Sequence, residues 1–218
     1  MKNLTTRFLF LIFNAFAKRT IIDQWGKEVY SAYRKAAKQK LREIESELPP
    51  EVDHFFQTDY RSIVTFIPIY FALMEQKIAR DEIDRLIWKT IEGVYKIMPP
   101  RGGKKRYRKI LDGLKAYQMK GESGLLGKND WVLKIEEEDN GSYFCRVTEC
   151  GARKILAGKG YDYIFPCMCR VDHLTMSLRG FRYERDKTIA DGDGVCNNHF
   201  MGLGLTEWAP EKGFLTRK

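Results

Sequence analysis

Several residue types and sequence features are scarce in this chain of 218 residues, and each scarcity excludes a class of protein. Five cysteines are too few for a disulfide-based scaffold, and no apolar run reaches the roughly 18 residues that a membrane-spanning helix needs. Internal repeats and low-complexity segments are absent from the sequence. Because 44% of the residues are hydrophobic and 31% are charged, the composition indicates a soluble globular protein rather than a fibrous or disordered one.

The excess of positive charge belongs to the N-terminal part of the chain. Residues 1–128 carry 25 basic and 15 acidic side chains, whereas residues 129–218 carry 13 and 14. The basic cluster at residues 101–109 could bind phosphates or dock, with the N-terminal helix, on an anionic membrane. We predict a solvated linker and helix face instead. No nucleic-acid partner is expected, because no aromatic ladder or recognition-helix pattern accompanies the charge.

The N-terminus has some features of a secretion signal. Lys2 and Arg7 precede the apolar run Phe8–Phe13, but that run has six residues, below the roughly 7–15 that are usual. The helical spacing also continues as far as Trp25. We therefore predict a packed first helix and, from the odd number of thiols, a reducing cytoplasmic location.

The first 120 residues are predicted to form a helical region. Phe8, Leu11, Ile12, Ala15 and Phe16 are predicted to form one buried face of a first helix. Four more helices are expected, with the second ended by Pro49 and Pro50: about Ile22–Glu47, Tyr60–Ile78, Asp81–Met98 and Lys104–Tyr117.

After a glycine-containing segment at 119–129, the apolar period changes from helical spacing to alternation. Strands are predicted at residues 131–136, 143–148, 181–187 and 195–201, with short helices at Gly151–Ala157 and from about Cys169 to Leu178. Asp139-Asn140-Gly141 is a strong hairpin signal. We therefore predict an α+β protein, with a helical region at 1–120 and a cysteine-containing region at 129–218 that has a small antiparallel sheet. The two regions are expected to pack as one unit.

All five cysteines lie between residues 145 and 196, which is an uneven distribution for small core residues. Thiolates serve as nucleophiles, redox partners or metal ligands. The spacing Cys167-Met168-Cys169 does not match a standard zinc module. A zinc site formed by Cys150, Cys169 and Cys196 with His173, Asp172 or His199 nevertheless remains open.

Two shorter patterns in the same region could carry chemistry. If Cys169 opens a helix, Asp172 lies on the same face three residues later, which suits a nucleophile with an acid–base partner or two ligands of one ion. An ordinary acidic first turn would give the same pattern. Asp191-Gly192-Asp193-Gly194 lacks the spacing of an EF-hand and is predicted to be a turn that brings Thr188 near Cys196. His54 is expected to cap or pack rather than to catalyse.

The C-terminal region contains a series of spaced motifs. They run Val147-Thr148-Glu149-Cys150, then Cys169-x-x-Asp172, then Phe181-x-Tyr183-x-Arg185-x-x-Thr188-x-Ala190-x-Gly192-Asp193, and finally Cys196-x-x-x-Phe200. These motifs resemble the 2-aminothiazoline-4-carboxylate hydrolase family. The resemblance covers roughly residues 18–202, with a weaker match in the N-terminal half around Gly26-Lys27-Glu28. Two features depart from the family pattern, namely Asn197-Asn198-His199 after the last cysteine and the additional thiol of Cys167.

This resemblance implies hydrolysis of a five-membered cyclic isothiourea at its C–N/C–S centre, which gives N-carbamoyl-L-cysteine on the way to cysteine. Water must attack the carbon between nitrogen and sulfur, helped by a thiolate or by zinc. The catalytic candidates are Cys150, Cys169, Asp172 and Cys196, with His173 as another base. The substrate-binding candidates are Arg182, Arg185, Thr188 and Gly192.

The leading prediction is therefore a cyclic-amidine hydrolase with a small-molecule substrate. The rival is a non-enzymatic sensor domain that binds a metal or a small ligand through the same thiols. The oligomeric state does not follow from the sequence.

Overall fold

The computed structural model describes residues 4–48, 52–156 and 158–206. Its contacts divide the chain into two compact units, Met1–Met98 and Pro99–Lys218. Pro49, Pro50 and Ala157, where the sequence ends two helices, lie outside the described residues. Within the described ranges, no helix combines the length and the apolar character that a membrane span requires.

The first unit begins with helix α1, Leu4–Glu47, which is broken at Gly26. The segments on either side of the break lie along each other in opposite directions. Two side-chain contacts show this: the Arg7 guanidinium bonds the Glu45 carboxylate at 2.8 Å, and the Tyr33 hydroxyl donates to the Asn14 side-chain oxygen at 2.5 Å. The sequence places the boundary between the first two helices near Ile22. It lies instead at the glycine, whose φ of 91° and ψ of 168° suit a residue without a Cβ.

Replacing Gly26 with alanine is expected to lower the free energy of unfolding by about 1–3 kcal/mol, the usual cost of a side chain in this backbone region. Among the described residues, no atom lies within 4 Å of the added Cβ, so the whole effect comes from the backbone. Urea unfolding measured by circular dichroism tests this. Gly194→Ala is the control: its Cβ is equally free of described neighbours and its φ is not positive. It should leave stability unchanged or raise it slightly. Equal stability of the two variants would contradict the prediction.

Two further helices complete the first unit. They are α2, Gln57–Glu75, and α3, Arg80–Ile97, which confirm the predicted third and fourth helices to within three residues. Their apolar faces pack against α1; for example, the rings of Phe13 and Phe66 lie 4.6 Å apart. The predicted buried face of the first helix is wrong, because Phe8 and Leu11 are each 61% exposed, and the buried positions are those of Phe10, Phe13 and Ala17 instead. Ile67, Leu73 and Trp88 are almost fully buried in this core.

The second unit is an antiparallel sheet with helices, so the predicted α+β class is confirmed. The strands lie in the order β1-β2-β4-β3. The predicted fifth helix is present but extends five residues further, to Glu122. The elements are α4 (Gly103–Glu122), β1 (Val132–Glu137), β2 (Tyr143–Glu149), α5 (Gly151–Leu156), α6 (Phe165–Leu178), β3 (Phe181–Glu184) and β4 (Cys196–Leu203), with 3-10 turns at Asp162–Ile164 and Ile189–Asp191.

Helix α4 belongs to the unit that contains the sheet. Its Tyr107 hydroxyl donates to the Phe200 carbonyl at 2.8 Å, and its Tyr117 hydroxyl accepts from the Trp131 amide at 2.9 Å. The contacts therefore divide the chain before α4, whereas the change in apolar period falls after it, at residues 119–129.

The sheet has one buried and one partly exposed face, as alternation along each strand requires. Tyr143, Cys145, Tyr183, Cys196 and Phe200 are buried on the first face. The second face includes Phe144, Arg146, Arg182 and His199, and there the Phe144 and His199 rings stack at 4.0 Å.

Two element boundaries near the cysteines differ from the prediction. Helix α6 begins at Phe165 with Pro166 in its first turn, so Cys169 does not open the helix but lies in its second turn. A proline in the first turn costs no hydrogen bond, which allows this earlier start. Strand β3 ends at Glu184 rather than at residue 187, so Arg185 belongs to the loop that leads to β4.

Candidate active site

Three cysteines predicted to be functional come from three different places in the fold. Cys150 lies between β2 and α5, Cys169 lies on α6, and Cys196 begins β4. The thiol of Cys196 interacts electrostatically with both of the others, and also with Cys145 on the neighbouring strand. We call Cys145, Cys150, Cys169 and Cys196 the thiol cluster.

A buried arginine lies beside the thiol cluster. The Arg185 side chain is 3% exposed, and its Nη1 donates to the Asp172 carboxylate at 2.8 Å and to the Asn198 amide oxygen at 3.1 Å. Its Nη2 donates to the Cys169 carbonyl. Both terminal nitrogens are therefore engaged within the protein. Arg185 holds Asp172 and α6 in place, and it does not present a free fork to a substrate carboxylate.

Asn198 completes this network from strand β4. Its oxygen also accepts from the Tyr183 hydroxyl at 2.7 Å, and its nitrogen donates to the Cys145 carbonyl at 2.8 Å. The sequence treats Asn197-Asn198-His199 only as a departure from the family pattern, so this residue is missed. The sequence spacing could have identified Asn198, because a residue two positions after Cys196 in the same strand lies on the same face of the sheet.

Burial raises the pKa of every thiol in the cluster. It raises the pKa of Cys145 to about 12, and the pKa of Cys169 also lies far above its ordinary value. Two thiols accept backbone hydrogen bonds that oppose this effect. Cys150 accepts from the N–H groups of Arg153 and Ala152, and Cys196 accepts from the Ile189 N–H at 3.3 Å. The positive charge of Arg185 also favours the thiolate of Cys196.

The loop between β3 and β4 fixes the donor to Cys196. Thr188 is 1% exposed, and its hydroxyl donates to the Asp191 carboxylate at 2.6 Å. Its backbone N–H donates to Asp193 at 2.8 Å, and Gly192 closes the turn with a φ of 100°. Thr188 and Gly192, predicted to bind substrate, therefore shape the loop that presents the Ile189 N–H to the thiol of Cys196.

The other predicted substrate-binding residue, Arg182, lies on the opposite face of the sheet from Cys196. It borders a cleft of about 1070 Å³ along edge strand β3, which Tyr183, Glu184, Arg185 and His199 also line. Among the described residues that line this cleft there is no cysteine, so Arg182 is not placed against the thiol cluster, although both lie near Arg185. His54 does not pack as predicted, because its side chain is 91% exposed and lies 3.8 Å from the Asp53 carboxylate.

The arrangement does not fit the predicted zinc site. The residues that the structure describes contain no group of three or more His, Cys, Asp or Glu side chains placed to hold a metal ion. The His173 ring packs edge-on against Tyr183, with 5.0 Å between the ring centres. His199, the other histidine considered, pairs with Glu138 at 3.1 Å beside the stacked ring of Phe144. The thiol cluster is therefore treated as a site for thiol chemistry without zinc.

Comparison with known families identifies the family of this chain but does not locate its site. A family model described as L-2-amino-thiazoline-4-carboxylic acid hydrolase matches residues 61–200, which is more than half of the chain and includes every member of the thiol cluster. No curated protein and no solved structure matches the chain significantly.

Proposed function

Because this chain belongs to the L-2-amino-thiazoline-4-carboxylic acid hydrolase family, we propose that it hydrolyses 2-aminothiazoline-4-carboxylate to N-carbamoyl-L-cysteine with Cys196 as the nucleophile. The substrate is a five-membered cyclic isothiourea whose C2 carbon is bonded to the ring sulfur and to two nitrogens. The product is a precursor of cysteine. All five cysteines are free thiols, which suits a reaction in a reducing cytoplasm.

One observation carries this proposal: Cys196 combines the features that activate a thiol. The Ile189 N–H at 3.3 Å and the charge of Arg185 favour its thiolate, while burial and the carboxylates of Asp172 and Asp191 raise its pKa. A cation and a carboxylate beside a thiol are the partners that nucleophilic catalysis by cysteine needs. Cys169 interacts with the same pair, but burial raises its pKa much further. Cys196 is therefore the better nucleophile of the two.

In the first step, the Cys196 sulfur bonds to C2 and the bond between C2 and the ring sulfur breaks. The proton that Cys196 loses passes by way of Asp172 to the departing ring sulfur. Asp172 suits this task because its side chain is half exposed while Arg185 fixes its position at 2.8 Å. The result is an isothiourea joined to Cys196 through its sulfur, with an open chain that ends in a thiol.

In the second step, water adds to C2 and the bond to Cys196 breaks. The water oxygen becomes the carbonyl oxygen of the product, one water proton goes to the imine nitrogen of the isothiourea, and the other returns to the Cys196 sulfur. These two steps consume one water molecule and restore the enzyme.

The test is incubation of the purified full chain with 2-aminothiazoline-4-carboxylate, with mass spectrometry of the products. We expect a product 18 mass units heavier than the substrate, carrying one free thiol and incorporating oxygen from labelled water. Binding of the compound without turnover would contradict the proposal and favour the sensor domain. Absence of both binding and turnover would exclude 2-aminothiazoline-4-carboxylate as the substrate.

A further inference from the structure

Three arginines lie around the thiol cluster, and two of them already have carboxylate partners. Arg185 pairs with Asp172 at 2.8 Å, and Arg170, also 3% exposed, pairs with Asp191 at 3.4 Å. Within the described part of the chain, Arg153 has no carboxylate within 4.0 Å, and its one side-chain hydrogen bond goes from Nη1 to the Ile189 carbonyl. Its guanidinium is half-buried and keeps donors available for an anion.

The position of Arg153 connects it with two thiols. Its backbone N–H donates to the sulfur of Cys150. Its side chain contacts the carbonyl of Ile189, the same residue whose N–H donates to the sulfur of Cys196. Only the backbone of one residue therefore separates the Arg153 guanidinium from the proposed nucleophile.

We propose that Arg153 binds the carboxylate of the substrate and makes the enzyme selective for anionic cyclic isothioureas. This assignment rests on the proposed function, and it names a residue that the sequence did not place among the substrate-binding candidates. Arginine suits the role because its planar fork donates two parallel hydrogen bonds to a carboxylate.

The dimensions of the substrate agree with this placement. Three covalent bonds separate the N and O atoms of Ile189, and three bonds also separate the substrate C2 from its carboxylate carbon. Attack requires C2 at roughly 3–3.5 Å from the sulfur, which is close to the 3.3 Å of the existing bond to the Ile189 N–H. In this proposal the substrate lies alongside the Ile189 backbone, with C2 against the Cys196 sulfur and the carboxylate against the Arg153 guanidinium.

The experiment compares two substrates and two variants in the full chain. The substrates are 2-aminothiazoline-4-carboxylate and 2-aminothiazoline, which lacks the carboxylate. For Arg153→Gln, we expect KM for the carboxylate substrate to rise about 10- to 100-fold with little change in kcat, because the lost interaction is present in both the bound state and the transition state. Turnover of 2-aminothiazoline should be unchanged. Arg153→Lys, which keeps the charge but loses the fork, should give an intermediate KM.

Arg146→Gln is the matched control, because Arg146 lies on the other face of the sheet, where it pairs with Glu136 at 2.6 Å. It should leave both substrates unaffected. Equal losses on both substrates for Arg153→Gln would mean that Arg153 acts on the thiols, and the assignment would be wrong. The assignment would also be wrong if Arg182→Gln, rather than Arg153→Gln, removed the preference for the carboxylate. Failure of the unaltered protein to turn over either substrate would instead reject the proposed function, and this assignment with it.

Discussion

Cys196→Ser is expected to lower the turnover of 2-aminothiazoline-4-carboxylate by about a thousandfold or more, because a serine hydroxyl in this position has no base strong enough to make it a nucleophile. The effect should fall on kcat, with little change in KM.

Because burial raises the pKa of the Cys196 thiol, little thiolate exists at neutral pH. In the unaltered protein, kcat/KM is therefore expected to rise as the pH moves from neutral to alkaline.

Cys145→Ser provides the matched control for this prediction. Cys145 is 4% exposed on the same face of the sheet, and burial raises its pKa to about 12, so it has no role as a nucleophile. This variant should keep its activity once circular dichroism has shown that it is folded. Acid-quenched samples of the unaltered protein should contain an adduct with the mass of the substrate on the peptide that includes Cys196. An adduct on Cys150 or Cys169, or an active Cys196→Ser protein, would exclude the proposed nucleophile.

Arg185→Gln is expected to destabilise the second unit by about 2–5 kcal/mol. Arg185 donates hydrogen bonds to three acceptors, and the substitution removes this guanidinium donor. The Asn198 oxygen and the Cys169 carbonyl would lose a buried hydrogen bond, and the half-exposed Asp172 would become hydrated. Amide hydrogen exchange measured in α6, β3 and β4 reports this loss directly. Exchange in these elements should accelerate by a factor of about 30 or more.

Arg146→Gln is the control, because it compares the loss of a surface ion pair with the loss of the buried Arg185 network. Arg146 and Glu136 are each 38% exposed, so Arg146→Gln should cost less than about 1 kcal/mol. Equal exchange in the two variants would show that Arg185 does not hold α6 to the sheet. Activity measured under conditions where Arg185→Gln remains folded would then report its effect on Cys196 and Asp172 alone.

Much of the fold could be predicted because local patterns determine it. The alternation at residues 131–136 and 143–148 and the Asp139-Asn140-Gly141 turn predict the β1–β2 hairpin, which the structure confirms. The sequence pattern places the break in α1 four residues too early. A helical apolar pattern continues across Gly26, and a single glycine inside such a pattern does not reveal whether the helix turns back there.

The sequence by itself determined the fold class, the family and the confinement of all five thiols to residues 145–196, because periodicity, motifs and composition are local properties. Only the tertiary structure decided what each side chain does. Arg182 and Arg185 are three residues apart, yet one lies on the open face of the sheet and the other is buried against Asp172. A hydrogen bond between α5 and the 3-10 turn at Ile189–Asp191 also links Arg153 to Ile189, which lies 36 residues further along the chain. Such contacts depend on how the elements pack, and no spacing within one element encodes them.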